Sequence, residues 1–455
     1  MLSERARPLT NAATPVATDT RSLTWAEGPL FVALLIYLVA FGWAIAHPSW
    51  DVWLALLIAP LLAVVTVPIV CRGAHREGDA WTARLLFYAV IAKLCGGIVR
   101  YVLTYALYDA SDASRYHQAG STLAAAFRHG DFSLGTGRIA GTRFIEIVTG
   151  VVYTVIGPNK ICGFLVFSWF GFLGLYFFFR AFQLAVPTGD HHRYGLLLFF
   201  LPSLMFWPSS IGKEAWLTLG LGLSSYGVAR VLTHRRGGFV LAGVGGAAIG
   251  MVRPHVALLV LAGMIVGYLL RRGERMSPTT VAARVVGMIV LLVALVVGVS
   301  SFKTFFHVTD IDLQSVETVL SRTEAQTAEG GSEFDASPVR SPLDYPQAAF
   351  TVLFRPFPNE AHNSQALAAA LESAFILGLL VFSLNRLAML PRAVTRYAYV
   401  GYAATFLLLF IYGFSVIGNF GILVRQRVQV LPFLLVLLAV PVERHRTITR
   451  ATARR

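Results

Sequence analysis

Long apolar segments recur along the whole chain at lengths typical of membrane-spanning helices. A helix needs roughly 20 apolar residues to cross a hydrocarbon core of about 30 Å, and the chain offers twelve such segments. They cover residues 27–47, 51–71, 83–108, 160–182, 191–208, 214–232, 238–252, 254–271, 283–301, 365–386, 396–416 and 421–441. The pattern therefore predicts an all-α, polytopic transmembrane helical bundle of about 12 spans, which forms a single domain over residues 27–441.

The polar segments between these spans predict the topology. We expect a cytoplasmic N-terminal tail at 1–26, a basic cytoplasmic C-terminal tail at 442–455, and extracytoplasmic loops at 109–159 and 301–364. With both termini inside, 23 of the 38 Lys and Arg fall on the cytoplasmic side and 13 fall outside. Most of those 13 lie in the two long loops, where the positive-inside rule is weak. No small-residue cleavage site follows the first span, which argues against a removable signal peptide.

Composition narrows the function classes. The chain is 56% hydrophobic and 14% charged, with mean hydropathy +0.65, which excludes an ordinary soluble domain. The net charge of +14 is explained by the topology, and no basic run is interleaved with aromatic residues, so we expect no nucleic-acid partner. The three cysteines, Cys71, Cys95 and Cys162, lie in spans or at their ends, which predicts neither a disulfide framework nor a metal site.

The first long loop opens with an amphipathic pattern. Tyr116, Ala119, Leu123 and Phe127 recur at helical spacing, after Ser111 as a possible N-cap. This predicts an outer juxtamembrane helix over 112–128, with its apolar face in lipid, ended by Gly130. The next apolar stretch, 145–156, is too short to span, so we expect an interfacial or re-entrant piece.

The second long loop divides into two halves of different character. Its first half is acidic around Gly330 and Gly331, which suggests a mobile, solvated stretch. Its second half is basic and aromatic, which favours return to the membrane interface. The glycine-rich run at 243–250 follows no strand, so it is better explained by close helix packing than by a phosphate loop.

Two carboxylates at the start of the outer helix are candidate general bases. Asp112 and Asp109 lie where the third span leaves the membrane, beside cationic and aromatic residues. A carboxylate there could accept a proton from a sugar hydroxyl. The alternatives are structural: Asp112 suits a helix N-terminus through the helix dipole, and Asp109 could cap the third span.

Cationic and polar residues on the same side are candidates for binding a phosphate-bearing substrate. Lys213 and Glu214 follow an outer turn and, as helix neighbours, point about 100° apart, so each needs another partner. Interfacial snorkelling is the alternative for this pair, and anchoring to anionic lipid is the alternative for the arginines. The candidate substrate-binding residues are Arg115, Tyr116, His117, Arg138, Lys213, Glu214, Arg253, His255, Arg355, Arg425 and Arg427.

Three short motifs resemble the GT-C superfamily of polytopic glycosyltransferases. They are Asp109-x-x-Asp112-x-x-x-Tyr116-His117, Phe206-Trp207-Pro208-Ser209-Ser210 followed by Lys213-Glu214, and Arg425-x-Arg427 before Leu431-Pro432. The acidic motif follows the third span here, whereas in that family it usually follows the first. A second similarity is to the O-antigen polymerases and ligases, and it rests on Arg340, Arg355, His362, Arg425 and Arg427.

The resemblance implies an activity and a set of partners. It implies a polyprenyl-phosphate or polyprenyl-pyrophosphate sugar as donor, a glycan or glycolipid acceptor, a bacterial plasma membrane location and a carboxylate base, for which Asp112 and then Asp109 are the matching residues. No cofactor is expected, because the lipid-linked sugar is itself the donor. The rival hypothesis is a transporter or flippase of lipid-linked glycans, which Lys93 and Arg100 on one face of the third span would favour.

Overall fold

A computed structural model describes most of the chain. The described residues are 21–76, 79–107, 112–134, 137–271, 278–306, 313–327, 332–361 and 363–442. The predicted residues Asp109, Ser111 and His362 lie outside these ranges. The chain divides into two compact units, Met1–His47 and Pro48–Arg455, and both cavities described below belong to the second.

Helices form the architecture throughout the described ranges, and no strand occurs in them beyond one isolated bridge between Glu333 and Asn419. The α-helices are α1 (Arg21–Ala46), α2 (Trp50–Arg76), α3 (Ala80–Leu107), α4 (Asp112–Arg128), α5 (Thr142–Ile156), α6 (Lys160–Ala185), α7 (His191–Phe200), α8 (Pro202–Phe206), α9 (Lys213–Leu232), α10 (Gly238–Gly250), α11 (Pro254–Leu270), α12 (Pro278–Phe306), α13 (Leu313–Thr327), α14 (Tyr345–Phe354), α15 (Ser364–Val381), α16 (Leu384–Leu387), α17 (Leu390–Arg396), α18 (Ala398–Phe414), α19 (Phe420–Arg427) and α20 (Leu431–Leu438). Short 3₁₀ turns lie at Trp207–Ser209, Pro342–Asp344 and Pro358–Glu360. The predicted all-α class is confirmed.

Five of the described helices are long and apolar enough to cross a membrane. They are Trp50–Arg72, Ala80–Ala106, Lys160–Ala185, Arg284–Phe305 and Ser364–Val381. The pair α19 and α20 passes the same test together but is bent by 56°, which gives up to six candidate spans. The chain is therefore helical with several apolar helices of membrane-crossing length, and the predicted count of twelve is not confirmed.

Several predicted spans form shorter or broken helices. Residues 191–208 divide into α7 and α8, because Pro202 has no N–H to donate and holds Leu201 in an extended conformation with φ −66° and ψ 127°. The predicted spans 238–252, 254–271 and 396–416 appear as apolar helices of 10–17 residues. Hydropathy reports how apolar a segment is, whereas helix breaks depend on individual residues within it.

Helices α6 and α9 approach until their backbones touch. A Cβ added at Gly174 would lie 2.2 Å from the Thr218 carbonyl oxygen, and one at Gly222 would lie 2.0 Å from the Gly174 oxygen. Helix α10 packs against the opposite side of α9, where a Cβ at Gly245 would lie 2.4 Å from the Ser224 nitrogen. Small residues allow this close approach, and they hold α9 at the centre of the unit.

The glycine-rich run on α10 only partly serves this packing. Gly245 contacts α9 as predicted, whereas Gly243 and Gly246 have nothing within 4 Å of an added Cβ. Gly250 would meet only the Ala257 side chain, at 3.9 Å. Close helix packing therefore explains one glycine of the four and not the whole run.

The predicted amphipathic helix forms with the predicted bounds, as α4. Its apolar face does not lie in lipid, which corrects the sequence expectation. Tyr116, Leu123 and Phe127 are buried, and a Cβ at Gly120 would lie 2.5 Å from the Thr149 side chain on α5. Burial against α5 removes the same apolar surface from water as lipid would.

The segment after α4 and the acidic loop each contain a helix. Helix α5 has 15 residues, about 22 Å in length, so it is too short to span, as predicted. Helix α13 lies within the acidic half of the second loop, which had been expected to be mobile and solvated. The sequence pattern did not predict this helix, because its many polar residues are also typical of a solvated loop.

Candidate functional site

A cavity of about 440 Å³ lies where the ends of five helices converge. It is bounded by the C-terminal half of α3, the first residues of α4, α9, α15 and α19, and the turns before α9 and α15. The lining residues are Arg100, Thr104, Asp112, Ala113, Trp207, Ser210, Ile211, Gly212, Glu214, Ser332, Pro356, Glu360, Asn363, Gln365, Ala366, Ala369, Phe420, Gly421, Val424 and Arg425. The volume falls within the range of small-molecule sites, about 300–1,000 Å³.

Arg425 joins two carboxylates at the wall of this cavity. Its Nε donates to Glu214 Oε1 at 2.7 Å, and its Nη1 donates to Asp112 Oδ2 at 2.9 Å. The Glu214 side chain is 9% exposed, whereas that of Asp112 is 58% exposed. Glu214 therefore holds the guanidinium from the buried side, and Asp112 presents its carboxylate to the cavity and to solvent.

A second arginine reaches the buried carboxylate from the start of α11. Arg253 lies immediately before Pro254, and its Nη2 is 3.6 Å from Glu214 Oε1. The Arg253 guanidinium also donates to Gln426 Oε1, which accepts from Gln429 Nε2 at 2.6 Å as well. Two cations thus share one buried carboxylate, and Asp112 supplies the second negative charge through its contact with Arg425.

Tyr116 and Lys213 lie within electrostatic range of the same cluster. Burial raises the pKa of the Tyr116 hydroxyl, and the carboxylates of Asp112 and Glu214 raise it further. Tyr116 therefore remains a neutral hydroxyl that can donate a hydrogen bond. Lys213 is the first residue of α9, and its ammonium group interacts electrostatically with Arg253 and Glu214.

Four helix N-termini converge at the cavity wall, those of α4, α9, α15 and α19. Helix α9 begins after Gly212, which offers no side-chain cap. Helices α15 and α19 are capped by Asn363, which accepts from Ala366 N at 2.8 Å, and by Asn419, which accepts from Ile422 N at 3.2 Å. The positive ends of helix dipoles favour bound anions.

The remaining charged groups of the wall are Arg100 and Glu360, and neither was among the predicted site residues. The Arg100 guanidinium lies 4.2 Å from the Phe206 ring centroid and 4.8 Å from that of Trp207. Glu360 accepts from Arg355 Nε at 2.9 Å. The sequence signal for Arg100 was its cost at membrane depth, because a charge there needs a partner or a function.

Three predicted residues between the start of α4 and the start of α5 make their contacts away from the cavity. Arg115 pairs with Glu146 at 3.4 Å, and Arg138 stacks on the Phe305 ring at 4.6 Å. His117 Nδ1 is 2.8 Å from the Tyr153 hydroxyl, and burial, followed by the charge of Lys160, lowers the pKa of this imidazole. None of these three side chains lines the cavity.

Three further predicted residues, Arg427, His255 and Arg355, make contacts with other parts of the protein and do not line the cavity. Arg427 is buried and donates to the carbonyl oxygen of Val352 at 3.0 Å and to Ser373 Oγ at 2.7 Å. His255 lies with its ring centroid 6.0 Å from that of Phe414. Arg355 lies over the Phe334 ring at 4.5 Å, so it supports the wall while pairing with Glu360. The structure thus brings together Asp112, Tyr116, Lys213, Glu214, Arg253 and Arg425 from the predicted set.

Within the described residues, no group of three or more His, Cys, Asp or Glu is arranged to hold a metal ion. The three cysteines, all in described segments, are free thiols. Comparisons with models of known protein families, with curated proteins and with solved structures found no match for this chain.

Proposed function

We propose that this chain is a membrane glycosyltransferase that uses a polyprenyl-phosphate or polyprenyl-pyrophosphate sugar at the extracytoplasmic face of a bacterial plasma membrane. The observation that carries the proposal is the contact between Asp112 and Arg425 on the wall of the 440 Å³ cavity. It places an exposed carboxylate and a fixed cation side by side. Transfer from a sugar phosphate needs both, one for the proton of the acceptor and one for the phosphate.

Arginine side chains and helix N-termini at the cavity support binding of the phosphate group. Arg100 and Arg425 line the wall, Arg253 lies behind Glu214, and the N-termini of α9, α15 and α19 converge there. Arginine offers a planar fork of donors that matches phosphate oxygens. The lipid chain of the donor would lie along the apolar helices.

Asp112 is the proposed general base. The proton of an acceptor hydroxyl would pass to the Asp112 carboxylate as the hydroxyl oxygen forms its bond to the anomeric carbon. The bond from that carbon to the phosphate oxygen breaks, and the phosphate leaves with the electron pair, stabilised by Arg425 and Arg100. No metal or cofactor is part of the proposal.

The proposed topology has about twelve spans and both termini in the cytoplasm. Under that topology the starts of α4, α9, α15 and α19 all lie on the outer side, which is where the cavity is. Several of the twelve would then be short or broken helices within the bundle, such as α7 with α8 and α19 with α20.

A transporter or flippase of lipid-linked glycans is the second candidate, and the broken helices favour it. Discontinuous helices supply binding groups in many carriers. Lys93, buried on α3, donates to the carbonyl oxygens of Leu204 at 2.7 Å and Met205 at 3.2 Å, at the C-terminal end of α8, where the chain breaks before α9. These contacts place an ionisable group at a helix break.

The test replaces Asp112 by Asn and measures sugar transfer from a polyprenyl-phosphate donor in membranes. The change keeps the shape of the side chain and removes the base, so we expect transfer to fall by about 10²–10⁴-fold while insertion is unchanged. Asp131→Asn is the matched control, because Asp131 is an exposed carboxylate just beyond α4. Transfer by Asp112→Asn at the rate of the control would overturn the assignment. The carrier would be favoured if the unaltered chain transfers no sugar but moves the lipid across the bilayer, and if Asp112→Asn loses that movement.

A further inference from the structure

A second cavity, of about 290 Å³, lies at the other end of α9. Gly212 and Glu214 at the start of α9 line the first cavity, whereas Leu232 at its end lines the second. The helix has 20 residues, so about 30 Å separates the two cavities, which is close to the thickness of a bilayer core. The second cavity is therefore distinct from the proposed catalytic site.

The charges at this cavity have one sign. Arg271, Arg396 and His234 line it, and no Asp or Glu of the described residues does. Arg271 follows the end of α11, Arg396 closes α17, and His234 follows α9, so three separate helices bring these groups together. Two arginines and a histidine from different elements that converge without an acid in the lining indicate an anion site.

Hydrogen bonds orient two of the three groups. Arg271 Nη1 donates to the Val231 carbonyl oxygen at 3.0 Å, and its Nη2 contacts His234 Nδ1 at 2.9 Å. Because an arginine can only donate, Nδ1 accepts, and the proton of the neutral imidazole lies on Nε2. His234 also has φ 59°, a left-handed conformation that is uncommon for a residue with a side chain.

Stacking fixes the arginines against tyrosines. The Arg271 guanidinium lies 5.1 Å from the Tyr268 ring centroid, and that of Arg396 lies 5.3 Å from the Tyr397 centroid. A stacked guanidinium keeps its edge available for hydrogen bonds, and less of its freedom is lost when an anion binds.

The rest of the lining is apolar and includes Leu184, Leu232, Leu270 and Pro187. A phosphate with a short organic group attached would place its oxygens on the cations and its carbon atoms on these side chains. We propose that this cavity binds the phosphate group of an anionic membrane lipid, and that the same groups would accept a soluble phosphate if one is supplied.

The test uses the full chain in detergent and titrates phosphatidylglycerol, with phosphatidylcholine and inorganic phosphate as parallel probes. A ligand that binds only the folded chain raises its apparent unfolding temperature. We expect phosphatidylglycerol to raise it and phosphatidylcholine not to. If inorganic phosphate matches phosphatidylglycerol, the phosphate group is bound from solution, and if it does not, the lipid is the ligand.

Two double variants test whether phosphatidylglycerol binds at this cavity. Arg271→Gln with Arg396→Gln removes two charge-assisted hydrogen bonds, so the apparent affinity for phosphatidylglycerol should weaken at least tenfold. Arg235→Gln with Arg236→Gln removes the same charge from exposed residues outside the lining, and should leave the affinity unchanged. Arg396→Gln alone keeps every Arg271 contact and serves if the pair does not fold.

Equal weakening in the two double variants would show only general attraction to the basic surface and would overturn the proposal. Equal stabilisation by phosphatidylglycerol and phosphatidylcholine would overturn it as well. Because neither readout uses sugar transfer, failure of the proposed glycosyltransferase activity would leave this result standing.

Discussion

Replacing Gly222 by Ala tests the contact that holds α9 in place. An added Cβ would lie 2.0 Å from the Gly174 carbonyl oxygen, 2.7 Å from its carbonyl carbon and 2.8 Å from its Cα. All three atoms are backbone, so no side-chain rotation can relieve the clash. Ordinary contacts begin at about 3.5 Å, and the two helices must therefore separate by about 1.5 Å.

The expected cost follows from that separation. Overpacking a dense interior costs about 1–3 kcal/mol, and the upper value applies because the obstacle is the backbone of a neighbouring helix. The separation also moves Glu214, near the start of α9, relative to Arg425 on α19. We therefore expect a lower unfolding temperature and, under the proposed function, weaker sugar transfer.

The assay is the apparent unfolding temperature of the full chain in one detergent, with Gly246→Ala as control. Gly246 is also inside a helix, but nothing lies within 4 Å of its added Cβ. Alanine favours a helix over glycine by about 1 kcal/mol, so this control should unfold at the same temperature or a higher one. If Gly222→Ala unfolds at the temperature of the control, the close approach of α6 and α9 is refuted.

Two further predictions concern the charged groups around the site. Glu214→Gln should destabilise the chain by about 1.5–3 kcal/mol, because it removes the buried carboxylate that Arg253 and Arg425 share, while Arg425 keeps Asp112 and Arg253 keeps Gln426; a loss no larger than that of the exposed Glu333→Gln would contradict this. Burial, followed by the charge of Lys160, holds the pKa of His117 below its unfolded value of about 6.5. The unfolded chain therefore binds more protons just below that pH, and stability should fall as the solution is acidified from 6.5 towards the lowered pKa. His117→Asn should flatten this dependence in thermal unfolding at a series of pH values, and an unchanged slope would count against the assignment.

Local patterns in the sequence were enough to predict several elements. Helix α4 has the predicted bounds because the signals that set them are local in the sequence. These signals are its polar start, its apolar residues at helical spacing, and Gly130 just after its end, which has φ 79°. The shortness of α5 followed from counting apolar residues between polar ones. The lipid-facing orientation of α4 was wrong because periodicity identifies an apolar face without showing which neighbour covers it.

The predicted count of twelve spans is not confirmed, for a related reason. Hydropathy averages over a window, and the single Pro202 that divides residues 191–208 into α7 and α8 hardly changes that average. The bend of 56° between α19 and α20 has the same effect on the last predicted span. Mean hydropathy was therefore sufficient for the class of protein but not for the number of crossings.

The sequence by itself determined the helical class, the apolar character of the chain and the presence of charged groups at Asp112, Glu214 and Arg425, because composition and period are local properties. Only the tertiary structure decided that Arg425 meets Asp112 across 313 positions, that Glu214 is shared with Arg253, and that Arg427 is instead held by interior oxygens. Ion pairs act over about 4 Å in space, and the positions of α4, α9, α11 and α19 relative to one another set those distances, which no spacing along the chain encodes.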